Sequence, residues 1–416
     1  MQETQPIIDD GSRERLGEGA FVLLLATSAA SAFRVPFLGA GLPNLVFPLA
    51  AAVVLLSAWK RLGELFSRHA LLLSSAAALL LWTAVAAAAS PKPAAAARIA
   101  LKAALYAAVF VALLVRFDGK ERAGRSLRAL LAFLVVLALL GVAESFFPQS
   151  FLYRLFRDDR SLSILPRISS ILPWPNPYGV LMVAGVALSE GMAAARLVAP
   201  RPALLASLLF LAQVAQSGSR NAWGVAALVL AVTAVRALAR RAPRRSVALA
   251  AFFAAGLVLL PVAAYQLRIE RASPVARALL PEMYVGSSSL ADPMLSLSLR
   301  GKIWRQAAVC VSYRPILGLG PGVFTRYVTP GLMGREGFNT HSLPLNLLVD
   351  LGLPGLALGL LVLASLRPSL WLARPAGGAL AALLAGQLVD CFLYEPVTLL
   401  VLMSCAASVA SPWEEP

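Results

Sequence analysis

Long apolar runs recur along the whole chain, each near the ~20 residues that carry a helix across ~30 Å of hydrocarbon. No other feature narrows the possible folds so far. The 416 residues are 59% hydrophobic and only 14% charged. A soluble globule of this length would lack the polar surface to cover so much apolar material. Membrane barrels show short alternating segments instead of continuous runs. The expected fold is therefore all-α, a polytopic integral membrane protein.

The pattern predicts about twelve spans, near 19–33, 38–58, 70–90, 98–115, 129–147, 177–195, 202–217, 221–235, 246–265, 343–366, 376–392 and 396–411. With the N-terminus inside, the inner connections collect Lys60, Arg61 and Arg68, then Arg116, Lys120, Arg122, Arg125 and Arg128. They also collect Arg236, Arg240, Arg241, Arg244 and Arg245. The short outer turns carry few charges. This is the positive-inside pattern, and it puts both termini inside. The start of the chain is polar and shows no cleavable signal peptide, so the first span is expected to act as an uncleaved insertion signal. Three units follow: 1–265 with nine spans and an outer loop at 148–176, a large outer loop at 266–342, and 343–416 with three spans.

The formal net charge is +16. In a soluble protein that would point to nucleic acid. Here the basic residues lie between spans, as topology signals and lipid-headgroup contacts, and lack the interleaved aromatics of a base-stacking surface. No nucleic acid partner is expected. The long outer loops are exempt from the topology rule, so their charge carries other information. The first holds Arg154, Arg157, Arg160 and Arg167. The second holds Arg268, Arg271, Arg277, Arg300, Lys302, Arg305, Arg314, Arg326 and Arg335, against Glu270, Glu282, Asp292 and Glu336. Such a surface collects phosphate-bearing ligands.

Residues 294–313 mix apolar and basic side chains at helical spacing, which predicts an amphipathic helix near the interface. Gly318, Gly320 and Gly322 follow in a turn whose spacing matches neither a Walker A sequence nor a dinucleotide fingerprint. The run is read as a tight turn that drops the chain onto the membrane surface. Cys310, Cys391 and Cys405 form no CxxC or Cys/His cluster, so neither a zinc site nor a disulfide framework is indicated.

His341 stands out for its place. It sits where the arginine-rich loop re-enters an apolar run, and the chain has only one other histidine, His69. An imidazole there can accept a proton, which points to chemistry on an anionic, lipid-linked substrate. Arg220, in Ser217-Gly218-Ser219-Arg220, occupies a very short outer turn, as a headgroup contact or as a cation facing a cavity. Asp158 and Asp159 are flanked by Arg157 and Arg160, and salt bridges are expected there rather than a metal site. Asp350 and Asp390 fall within expected spans, where acids are costly, and either a functional or a hydrogen-bonded structural role suits them.

Taken together, these blocks resemble the O-antigen ligase and polymerase family of bacterial envelopes. The blocks are Ser217-Gly218-Ser219-Arg220; Arg300 followed by Trp304; Pro315 through Gly318, Gly320 and Gly322 to Phe324; His341-Ser342 with Asp350, Gly352 and Gly355; and Arg167 through Asn176. Ser342 stands where the family usually has asparagine, and Asp350 where it has glutamate. The resemblance covers about 165–360 by motif and the whole chain by layout.

What the resemblance implies is a GT-C-like glycosyltransferase of the bacterial inner membrane, working at the periplasmic face without metal or cofactor. The donor is a glycan on undecaprenyl diphosphate. The acceptor is lipid A–core oligosaccharide in ligases, or another lipid-linked glycan in polymerases. His341 would act as general base, and Arg220 and Arg300 would clamp the diphosphate. Arg167, Arg326, Trp304, Asn176 and Ser342 would contribute to substrate binding. A transporter is the distant alternative, and it fits poorly: transporters bind charge near the midplane within repeated halves, whereas these charges crowd the outer interface and no repeat is visible.

Overall fold

The computed structural model describes residues 10–29, 42–57, 61–146, 170, 172, 175–239, 293–330, 338–391 and 395–411. Among these every regular element is helical. In chain order they are α1 (Asp10–Ala29), α2 (Leu42–Ser57), α3 (Leu62–Arg68), α4 (Ala70–Ala88), α5 (Pro93–Phe117), α6 (Lys120–Phe146) and α7 (Pro175–Ala194). Then come α8 (Pro200–Ser217), α9 (Arg220–Ala239), α10 (Pro293–Tyr313), α11 (Leu343–Ser365), α12 (Gly377–Val389) and α13 (Pro396–Ala410). A helix stands at every expected span except 246–265, which lies outside the described residues. By length and composition five of them, α4, α5, α6, α7 and α11, can cross a membrane. Several helices open on proline, at Pro93, Pro175, Pro200 and Pro396. There the missing N–H costs nothing, because the first turn has no carbonyl to bond.

Helix α7 is the centre. Its residues from Tyr178 to Ser189 are buried without interruption, against α6, α8, α9 and α12. A helix covered on all sides needs no amphipathic stripe. Small residues allow the close approach, as in membrane helix pairs generally. A methyl group on Gly179 would come within 2.7 Å of Ser217 and Ala222, and one on Gly386 of α12 within 2.7 Å of Val180. The buried Tyr178 hydroxyl is satisfied by donating to Gln213 Oε1 at 2.8 Å.

The α8–α9 turn follows from its sequence. Gly218 adopts φ +58° and ends α8, and the Ser219 hydroxyl caps α9 by accepting from Ala222 N at 3.2 Å. The next side chain along α9 then ties two helices together, since Asn221 Nδ2 donates to Gly386 O at 3.0 Å.

Helix α11 is not the uninterrupted span expected from the sequence. It breaks at Gly352, with φ 70° and ψ −171°, and the break frees carbonyls of the buried residues Val349, Asp350 and Leu351, which need donors. The glycine turn answers them. Leu319 N donates to Val349 O and Gly320 N to Asp350 O, both at 2.9 Å, and Leu353 N returns a bond to Pro315 O at 2.8 Å. Trp82 Nε1 of α4 donates to Leu351 O at 2.7 Å. The turn expected to lie on the membrane surface is thus docked onto a broken helix, because those carbonyls need donors.

Several of the basic residues assigned to inner loops are ion-paired. Arg116 meets Glu18 at 3.1 Å, Arg125 meets Glu18 at 2.8 Å and also Glu14, and Arg122 meets Asp118 at 3.5 Å.

Candidate active site

His341 lies just before α11, whose N-cap is Ser342. Its backbone is left-handed, φ +52°, a conformation that costs a non-glycine residue free energy unless its surroundings impose it. They do. His341 N donates to Asn339 Oδ1 at 2.8 Å, and Thr340 Oγ1 donates to Ser342 O at 2.8 Å. From α10, Trp304 Nε1 donates to Thr340 O at 2.7 Å. Asn339 Nδ2 fastens the loop to the segment after α12 through Cys391 O, at 2.9 Å.

That strained backbone aims the imidazole at Asp390. His341 Nδ1 is 2.7 Å from Asp390 Oδ1. Asn176 Nδ2, from the first turn of α7, donates to Asp390 Oδ2 at 2.8 Å. Cys391 N donates to Oδ1 at 3.2 Å, and Arg300 Nη2 lies 3.9 Å from Oδ2. Asp390 was expected inside a span. Helix α12 stops at Val389, however, and Asp390 is the extended residue that follows. Burial works against its negative charge, yet the neighbouring His341, Asn176 and Arg300 hold its carboxyl below the ordinary carboxylate range.

An ionised carboxylate only accepts, so the proton between the pair belongs to His341 Nδ1. In the neutral imidazole the lone pair is then on Nε2. The Asp390 side chain is 7% exposed and that of His341 23%. The carboxylate is shielded while the imidazole remains accessible, a geometry that would suit a general base oriented by a buried carboxylate.

The other expected site residues divide. Arg300 and Trp304 lie on one face of α10, toward Asp390 and Thr340 respectively. Asn176 turns its amide to Asp390. Arg220 begins α9, exposed, beside the Asn221 that holds Gly386, so it stands at the end of α12 that carries Asp390. Arg326 is exposed on a short π-helical turn, Phe324–Val328. The adjacent Tyr327 ring carries Lys92 Nζ at 5.5 Å from its centre. Arg167, Asp158 and Asp159 lie outside the described residues. Among the described residues no group of three or more His, Cys, Asp or Glu is placed to hold a metal ion.

Asp390 is the partner of His341 that sequence reasoning did not single out. It is 49 positions from His341 and 214 from Asn176, so no local spacing links them. Its only signal was an acid within an expected span, at 376–392.

Over the described residues the protein is helical, with five helices long and apolar enough to cross a membrane and a His–Asp pair where α7, α11 and α12 come together. Residues 205–360 match the family model described as O-antigen ligase. The match takes in Arg220, Arg300, Trp304, Arg326 and His341, and stops short of Asp390. No curated protein matches the chain.

Proposed function

We propose that this protein is an O-antigen ligase of the bacterial inner membrane. It transfers a glycan from undecaprenyl diphosphate to lipid A–core oligosaccharide at the periplasmic face, with inversion and without a metal ion. The observation that carries the proposal is the 2.7 Å contact between His341 Nδ1 and Asp390, because it leaves Nε2 as a proton acceptor.

In the proposed reaction Nε2 of His341 takes the proton of an acceptor hydroxyl as its oxygen attacks the donor's anomeric carbon. The bond from that carbon to the diphosphate oxygen breaks, and its electron pair leaves with undecaprenyl diphosphate. Asp390 stabilises the imidazolium as it forms. Arg220 and Arg300 bind the diphosphate and offset the charge that grows on the leaving oxygen. At 3.9 Å Arg300 is beyond hydrogen-bond distance of Asp390, so its planar fork is available to phosphate.

The test is a purified protein in lipid nanodiscs, given a lipid-linked glycan with and without lipid A–core. Glycan is expected on lipid A–core, and His341→Ala is expected to abolish transfer at unchanged protein yield. Polymer growth from lipid-linked glycan alone would make the protein a polymerase. Near-normal transfer by His341→Ala would remove the base assignment.

A further inference from the structure

The proposed reaction uses Arg220, Arg300 and His341 and leaves Lys92 and Arg326 without a role. Lys92 ends the turn between α4 and α5, just before Pro93. Both helices are long and apolar enough to cross a membrane. Two crossing helices put the turn that joins them at the membrane boundary. Arg326 and Tyr327 lie on the π-helical turn Phe324–Val328. The Lys92 ammonium sits over the Tyr327 ring, 5.5 Å from its centre. A ring face attracts a cation without neutralising it, so the charge is held in place and stays open to an anion. Lys92, Arg326 and Tyr327 are all exposed.

Hydrogen bonds lock this patch to its surroundings on two sides. Arg314 Nη2 donates to Ala89 O at 2.7 Å, and Ser90 Oγ donates to Leu319 O at 2.6 Å. These bonds hold the end of α10 and the glycine turn against the α4–α5 turn. On the other side Phe338 N donates to Thr329 Oγ1 at 2.8 Å, which ties the end of the π-helical turn to the segment that runs into His341. The Phe338 and His341 rings are 6.1 Å apart, centre to centre. Beside Arg314, Tyr313 is 81% and Ile316 60% exposed. Large apolar side chains open at that level suit the zone where headgroups meet acyl chains.

We propose that Lys92, Arg326 and Tyr327 form a phosphate subsite for the acceptor, a phosphorylated glycolipid whose phosphate they hold where it leaves the membrane. Tyr313 and Ile316 lie against its acyl chains. The inference rests on the transfer reaction proposed above. Charge and depth select this occupant. Two cations and a phenol match the oxygens of a phosphate, lipid phosphates lie at the membrane boundary, and the base beyond Phe338 needs an acceptor anchored there.

Transfer in nanodiscs tests the subsite with lipid A–core and with the same acceptor stripped of its phosphates. Lys92→Gln and Arg326→Gln are each expected to raise KM for the phosphorylated acceptor about tenfold, the worth of one charge-assisted hydrogen bond. Because such binding is uniform through the reaction, kcat and the donor's KM are expected to stay within about twofold. With the phosphate-free acceptor the unmodified protein is expected to show the raised KM, and the variants to add nothing to it. The proposal is overturned if the variants change no KM, if they change the donor's KM instead, or if their effect persists in full on the phosphate-free acceptor. Native mass spectrometry of the detergent-solubilised protein supplies a readout that needs no reaction. Phosphorylated lipid A–core is expected to be retained over both its phosphate-free form and phosphatidylglycerol, and the preference is expected to vanish when Lys92→Gln and Arg326→Gln are combined. Equal retention of phosphatidylglycerol would make the patch a general headgroup contact and overturn the acceptor assignment. Should the unmodified protein transfer no glycan, the functional reading fails, and the binding preference alone decides whether the subsite exists.

Discussion

Replacing Asp390 by asparagine tests the site at its most specific point. The substitution keeps size and shape and changes which atoms donate. Asp390 now accepts from His341 Nδ1 on one oxygen and from Asn176 on the other, with the Arg300 guanidinium nearby. Asparagine has one oxygen and one NH2 group. Asn176 donates on the Oδ2 side at 2.8 Å with the Arg300 cation 3.9 Å away, whereas the Cys391 N–H on the Oδ1 side is longer at 3.2 Å, so the amide oxygen is drawn to the Oδ2 side. The NH2 then faces His341 and donates to Nδ1. That moves the ring proton to Nε2, and the lone pair needed for the acceptor hydroxyl is gone. Enforcing the wrong tautomer in a His–Asp catalytic pair lowers kcat by as much as ~10⁴-fold, equivalent to about 5.4 kcal/mol of barrier at ~1.36 kcal/mol per tenfold. We expect kcat for transfer to fall by about 10³–10⁴-fold with little change in thermal stability. Single-turnover transfer with a labelled lipid-linked donor measures the step directly. A kcat within tenfold of the unmodified protein would refute both the tautomer argument and the assignment of His341 Nε2 as the base.

Two further substitutions probe the frame and the anion clamp. Gly352→Ala puts a Cβ 2.0 Å from Ile316 O at a backbone φ of 70°; strain and the parted turn together are expected to cost about 3 kcal/mol, read as a lowered melting temperature in detergent, and an unchanged melt would contradict the docked turn. Arg220→Lys keeps the charge but loses the planar fork, so kcat/KM is expected to fall on the order of a hundredfold. Full activity in that variant would remove Arg220 from the diphosphate clamp.

Much of the helical layout could be read from the sequence because membrane insertion is decided locally. An apolar run long enough to span satisfies its own backbone within itself, so the runs at 70–90, 98–115 and 343–366 predicted α4, α5 and α11 within a few residues. Residues 294–313 likewise predicted α10 from its mixed spacing. His341 and Arg300 were legible for a different reason, as polar side chains at an apolar boundary and on a basic loop.

Sequence alone did not show what answers His341. The pairing with Asp390 and Asn176 joins three helices across 49 and 214 positions, and a carboxylate carries no mark of its future partner. Nor did it show the break in α11. Gly352 and Pro354 were visible, yet a broken helix survives only where other groups bond its freed carbonyls, and those donors come from the glycine turn and from Trp82. Insertion and helix formation depend on residues close in the chain, and the sequence determined them. The tautomer of His341, the partner of the Asp390 carboxylate and the seating of the turn depend on hydrogen bonds between distant segments, which only the packed structure brings within reach.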